Sequence, residues 1–178
     1  MRYSMLTIAL FHCVIVLSIQ VTHQRVIGDA VQPESNANRS GKRLLIYSTM
    51  SYNFLRIAGK KNITASAKAT DPYAVVITNT VKEGLTIMGE KSHLYLCILS
   101  KNGKMIAMSS PTSSTDRYYC YFREDVSQND RTTYELAKRP DWSLIFSKDG
   151  SPRRAYSKRD NKKTGFMKLP VTTNGNQR

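Results

Sequence analysis

Short apolar runs separated by polar breaks recur along this chain: LLIY from Leu44, FLRI from Phe54, AVVIT from Ala74, LYLCIL from Leu94 and WSLIF from Trp142. Their length and their β-branched and aromatic content predict strands. Gly, Asn, Asp, Ser or Lys ends each run, and no window keeps an i, i+3, i+4, i+7 spacing over three turns. Helix is therefore a minor component at most. Three segments align with one another: FLRIAGKKN from Phe54, YLCILSKNG from Tyr95 and WSLIFSKDG from Trp142, with aromatic leaders 41 and 47 residues apart. Each offers an aromatic, an apolar strand, a small residue, a lysine and an Asn or Asp turn. Gly103 and Gly150 supply the positive φ that a tight turn requires. Three all-strand units are too few for a propeller and match no helical solenoid, whereas a closed pseudo-threefold barrel accommodates them and removes exposed sheet edges. On this pattern Phe54, Leu55, Leu96, Trp142 and Leu144 belong to the core.

The ends read differently. Arg2 precedes an almost wholly apolar stretch, Met5 to Leu17, before the polar run VTHQR. This is the pattern of a secretory signal over residues 1–18, about 13 apolar residues long and too short for the roughly 20 that span hydrocarbon. Cleavage after Ser18 places Val16 and Ser18 at the small-residue positions, and later sites also fit. Residues 19–41 are polar and aperiodic and read as a flexible leader, residues 42–171 as the folded unit, and residues 172–178 as a frayed tail. No membrane span is expected, and the product is expected outside the cell.

Charge narrows the choice of partner. Among 178 residues, Lys and Arg number 27 against 13 Asp and Glu, a formal net charge of +14. The charge is concentrated: Lys148, Arg153, Arg154, Lys158, Arg159, Lys162, Lys163 and Lys168 lie within 21 residues that hold two acids, Asp149 and Asp160. A turn-rich loop beginning near Pro152 can gather several of these into one cationic patch suited to sulfated sugars. Arginine adds a planar fork that engages sulfate bidentately, and lysine adds mostly field. A secretory signal disfavours nucleic acid as the polyanion.

Catalysis has no foothold. His93 is the one histidine certain to lie in the folded unit, and no HExxH, nucleophile-elbow or phosphate-cradling pattern occurs. No catalytic residue, cofactor or metal site is expected. Cys13 falls in the signal, leaving Cys97 and Cys120, too few for a structural zinc site. One disulfide and two buried free thiols both fit. Two sequons, Asn38-Arg39-Ser40 and Asn62-Ile63-Thr64, mark candidate glycosylation sites.

The stretch IMGEKSHLYLCILSKNGKMIA from Ile87, then CYFRE from Cys120, Tyr134, WSLIFSKDGSPRRA from Trp142 and FMKLP from Phe166 resembles the fibroblast growth factors. Gly89, Ser92, Tyr95, Leu96, Cys97, Gly103, Cys120, Phe122 and Glu124 occupy the places of that family's signature. The resemblance implies an all-β fold, a β-trefoil of twelve strands in three pseudo-repeats. It also implies a secreted ligand, monomeric alone, that binds and activates a receptor tyrosine kinase ectodomain and is dimerised with receptor and heparan sulfate. The heparin-binding loop maps onto Lys148, Arg153, Arg154, Lys158, Lys162 and Lys163, to which charge alone adds Arg159. Receptor contacts map onto Tyr47, Glu124, Asn129, Leu169 and Val171. Two features depart from the family: Arg131 stands where a tyrosine is common, and the final strand ends in Leu169, Pro170, Val171. The alternative reading is a heparin-binding or carbohydrate-binding trefoil with no receptor role, although a trefoil lectin would repeat Gln-x-Trp and this chain has one Trp.

Overall fold

In the computed structural model, which describes residues 41–111, 117–127, 131–155 and 165–171, LLIY and FLRI lie within strands, AVVIT and LYLCIL each begin one residue before theirs, and WSLIF straddles a strand end. The strands are β1 (Lys42–Ser48), β2 (Asn53–Gly59), β3 (Asn62–Ala67), β4 (Val75–Val81), β5 (Gly84–Gly89), β6 (Tyr95–Leu99), β7 (Met105–Met108), β8 (Tyr118–Tyr119), β9 (Phe122–Val126), β10 (Thr132–Leu136), β11 (Arg139–Ser143) and β12 (Phe166–Pro170). No helix occurs among the described residues.

Six strands close on themselves. β1 pairs with β4, β4 with β5, β5 with β9, β9 with β10, β10 with β12, and β12 with β1, all antiparallel. Closure leaves this ring without a free edge. A hairpin extends from every second ring strand: β2–β3 from β1, β6–β7 from β5, and β11 with the bridge Phe146–Pro152 from β10. A six-stranded barrel with three such hairpins is a β-trefoil. The strands divide as four, five and three, because the last strand of the second repeat is interrupted at Cys120–Tyr121 and the return strand of the third hairpin shrinks to one bridge.

The hairpins are tied to one another in a cycle. Ala107 N–H donates to Lys60 O at 2.9 Å, Ala155 N–H to Gly103 O at 3.0 Å, and Ala65 N–H to Gly150 O at 2.8 Å. Each donor is a buried alanine. Each acceptor lies in the neighbouring hairpin's turn, where Gly103 and Gly150 adopt φ of 67° and 80°. A Cβ on Gly150 would stand 2.6 Å from Ala65 O, so the smallest residue is required at that approach. The pseudo-threefold relation thus appears as one hydrogen bond repeated three times.

Alternation assigns the core. Leu44, Ile46, Leu55, Ile57, Leu85, Ile87, Leu96, Ile98, Tyr134, Leu136, Leu144 and Phe146 face inward in one cluster with Phe122, Phe166 and Trp142. Phe54 differs from the sequence expectation: because Leu55 and Ile57 point inward with period two, Phe54 points out, packs edge-to-face on Tyr47 at 5.3 Å and joins a second cluster around Leu45, Ala67 and Ala74. Tyr95 turns outward likewise. The third repeat is offset by one residue. Tyr47 pairs with Phe54 and Met88 with Tyr95, but the matching Glu135 pairs with Ser143, across a register shift between Glu135 and Leu136. That bulge turns Trp142 into the core.

Cys97 and Cys120 are joined as a disulfide, with Cα atoms 4.1 Å apart, inside a third apolar cluster that includes Ile106, Tyr95 and Tyr118. Of the two readings open to the sequence, the structure carries the bond. Replacing both cysteines by alanine is expected to cost about 3 kcal/mol, mainly by freeing the unfolded chain. Equilibrium urea unfolding of the folded double variant measures this. A native chain whose intact mass shows two free thiols would contradict the bond.

Candidate functional site

The third hairpin presents the cationic residues. Its turn is built by Asp149, whose carboxylate accepts from the Ser151 amide at 3.2 Å, the Ser151 hydroxyl at 2.7 Å and the Ser147 hydroxyl. These donors hold the Asp149 carboxyl down at about 2, so it stays ionised at any ordinary pH. Its depressed value makes the turn's stabilisation complete above the ordinary carboxylate range and lost only as pH falls toward 2. Beyond the turn, Ser147 N–H donates to Ser151 O and Arg153 N–H to Ile145 O, both at 2.9 Å, which fixes the backbone path of the return segment.

Arg153 and Arg154, both exposed, line a groove of about 430 Å³ together with Lys61 and Lys104. Its floor includes Met105, Ile106 and Pro152. Among the described residues no acid lines it. Lys148 is exposed on the same turn but outside the groove lining. The other cations expected in this loop, Lys158, Arg159, Lys162 and Lys163, lie outside the described residues, as do Asn38 and Asn129. Asn62 is exposed at the start of β3, and its Oδ1 accepts from Arg56 Nη1 at 2.9 Å.

A different surface carries the apolar residues. β1 lies between β2 and β12, and Tyr47 is paired with Phe54 on one side and Met167 on the other. Met167 is 42% exposed. Two pairs further along, Leu45 faces Leu169, and Leu169, Val171, Val75 and Phe54 pack on the second cluster. The structure thus brings Tyr47 and Leu169 onto neighbouring strands, with Val171 directly after the end of β12. Glu124, on β9, is cross-strand partner to Tyr134, and its Oε2 accepts from Lys168 Nζ at 2.8 Å with both side chains about one-third exposed. Burial, with the Glu124 carboxylate close by, pushes the Tyr134 phenol far above its ordinary value. It stays protonated, and its hydroxyl makes no hydrogen bond of ordinary geometry.

Residues 42–167 match the family model described as fibroblast growth factor. The chain belongs to the fibroblast growth factor family. Fibroblast growth factor 8 of Mus musculus is 29% identical over 152 residues, covering 84% of this chain and 55% of that protein. Fibroblast growth factor 8b of Danio rerio is 30% identical over 83% of this chain and 66% of its own length. Fibroblast growth factor 18 of Homo sapiens reaches 32% over 69% of this chain and 58% of its own. The chain therefore spans less than two thirds of the length of these curated relatives. As a fibroblast growth factor, it carries the trefoil that its resemblance implied. The groove lysines Lys61 and Lys104 escaped sequence reasoning, because Lys61 stands 43 residues before Lys104 and Lys104 stands 49 before Arg153 along the chain.

Proposed function

We propose that this chain is a secreted growth-factor ligand, not an enzyme, which engages a receptor tyrosine kinase ectodomain through the apolar strip and a sulfated glycosaminoglycan such as heparan sulfate through the basic hairpin. The observation carrying this reading is the presence of two unlike surfaces on a trefoil of this family: a groove whose described lining holds Lys61, Lys104, Arg153 and Arg154 and no acid, and an aromatic and aliphatic strip across β2, β1 and β12. The chemistry suits each partner. Sulfates along a polysaccharide release counterions on meeting a cation cluster. An interface centre wants a desolvated aromatic such as Tyr47 flanked by a polar anchor.

Glu124 supplies that anchor in this reading. Its pairing with Lys168 is a partly exposed contact worth little by itself, so exchange for a receptor arginine costs little. Asn129 is the second polar contact. The variant with Glu124→Ala and Asn129→Ala is expected to keep its heparin retention and to lose receptor binding by about tenfold or more, 1.4 kcal/mol being one decade. Surface plasmon resonance on immobilised ectodomain measures it, and wild-type affinity in the double variant would remove this interface. Heparin retention with no receptor affinity in the parent chain would favour the carbohydrate-binding alternative.

A further inference from the structure

The triplet Asn62-Ile63-Thr64 opens β3, and neither of the two proposed surfaces uses it. Alternation along β3 buries Ile63, Ala65 and Ala67 and turns Asn62, Thr64 and Ser66 outward. Ile63, the middle residue, is locked into the main core cluster, so the two residues that an N-linked transfer reads share the outer face. Asn62 is exposed, directly after the exposed turn residues Lys60 and Lys61, and Thr64 Oγ1 accepts from Ser66 Oγ on that same face at 2.9 Å. Arg56, the cross-strand partner of Thr64 on β2, orients the Asn62 amide. Its Nε donates to Asp71 Oδ2 at 3.0 Å, its guanidinium lies 5.2 Å from the centre of the Tyr73 ring, and its Nη1 donates to Asn62 Oδ1 at 2.9 Å. With Oδ1 engaged, the free atom of the amide is Nδ2, which donates to no group among the described residues.

From this arrangement we infer that Asn62 carries an N-linked oligosaccharide in the mature chain, its root held outward at the end of the first hairpin by Arg56. The inference rests on the secretion contained in the proposed function, because the transfer takes place in the secretory pathway. The donor is an oligosaccharide borne on a lipid pyrophosphate. A bond forms between Asn62 Nδ2 and the anomeric carbon, the bond from that carbon to the pyrophosphate oxygen breaks, and the lipid pyrophosphate leaves while the amide proton passes to a base of the transferase. The product keeps Oδ1 as an acceptor, so the Arg56 hydrogen bond and the sugar coexist on one side chain. No buried atom has to move to admit the sugar, since the attachment point is already at the surface.

The test produces the full chain in eukaryotic secretory cells, once with its own apolar N-terminal segment and once with that segment replaced by a signal of proven secretory activity. Protein from the medium is treated with peptide N-glycosidase in heavy-oxygen water, which converts each occupied asparagine to labelled aspartate, and intact mass and the peptide containing residue 62 are measured. A label at Asn62 is expected, together with a glycan mass that the enzyme removes. The label should persist in Thr64→Ser, which keeps the hydroxyl, and in Asn38→Gln, which removes the other triplet. The residue 62 label should vanish in Thr64→Ala, and the glycan mass assigned to that site in both Thr64→Ala and Asn62→Gln. Secreted chain with residue 62 unlabelled, or with the label at Asn38 alone, overturns the inference. A chain that stays inside the cell with its own segment, yet is secreted and labelled at Asn62 with the replacement, upholds the site and fails the secretion reading instead.

Discussion

Phe166→Ala is expected to lower stability by about 3 to 5 kcal/mol, the cost of emptying a large aromatic site in a packed core. Phe166 is 1% exposed, and its ring meets Tyr134 at 5.5 Å and Phe146 at 6.2 Å between centroids. Its backbone pairs with Ser48 on β1 and Thr132 on β10, so the residue sits where the barrel closes. Next to it, Thr49 donates both its amide and its hydroxyl to Gly165 O, at 2.9 and 2.8 Å. The substitution therefore weakens the packing that joins the two ends of the ring. Against a total stability of about 5 to 15 kcal/mol for such a domain, the loss is large. The adjacent Met167→Ala, at a 42% exposed position, should stay within about 0.5 kcal/mol. Urea midpoints for the pair decide the matter, and a Phe166→Ala loss no greater than that of Met167→Ala would mean that the aromatic trio does not pack as described.

The second large effect concerns charge. Replacing Arg153, Arg154, Lys162 and Lys163 together by alanine is expected to abolish most heparin retention while leaving thermal unfolding nearly unchanged. Removing four cations should flatten the dependence of log affinity on log salt by about 3. The guanidinium pair is expected to matter more than the lysine pair, because a fork fixes sulfate geometry that a point charge does not. Elution of the folded quadruple variant at the parent's salt concentration would take the basic loop out of the account.

Much of the barrel was legible because period-two burial and turn chemistry are local. LLIY, FLRI and LYLCIL declare their strands, and Gly103 and Gly150 mark turns that the backbone indeed forms with positive φ. What escaped was set by pairing between strands. The leaders at Phe54, Tyr95 and Trp142 align in sequence, yet the first two face out and the third faces in, since the shift beside Glu135 moves the third repeat by one residue. Nothing in the run WSLIF announces that shift. The same holds for the surfaces. Tyr47 and Leu169 could be matched to family positions, but the neighbours that complete their strip, Phe54 and Met167, follow from register. The groove required Lys61 and Lys104 to meet Arg153, a closeness that the cycle of alanine hydrogen bonds creates and that charge density along the chain hides.

The most direct test is a titration of the parent chain against a purified fibroblast growth factor receptor ectodomain, with and without a heparin oligosaccharide. A saturable complex that tightens and dimerises when the glycan is added is the expected result. Absence of any complex in either condition, from protein whose circular dichroism reports an intact β fold, would contradict the ligand role.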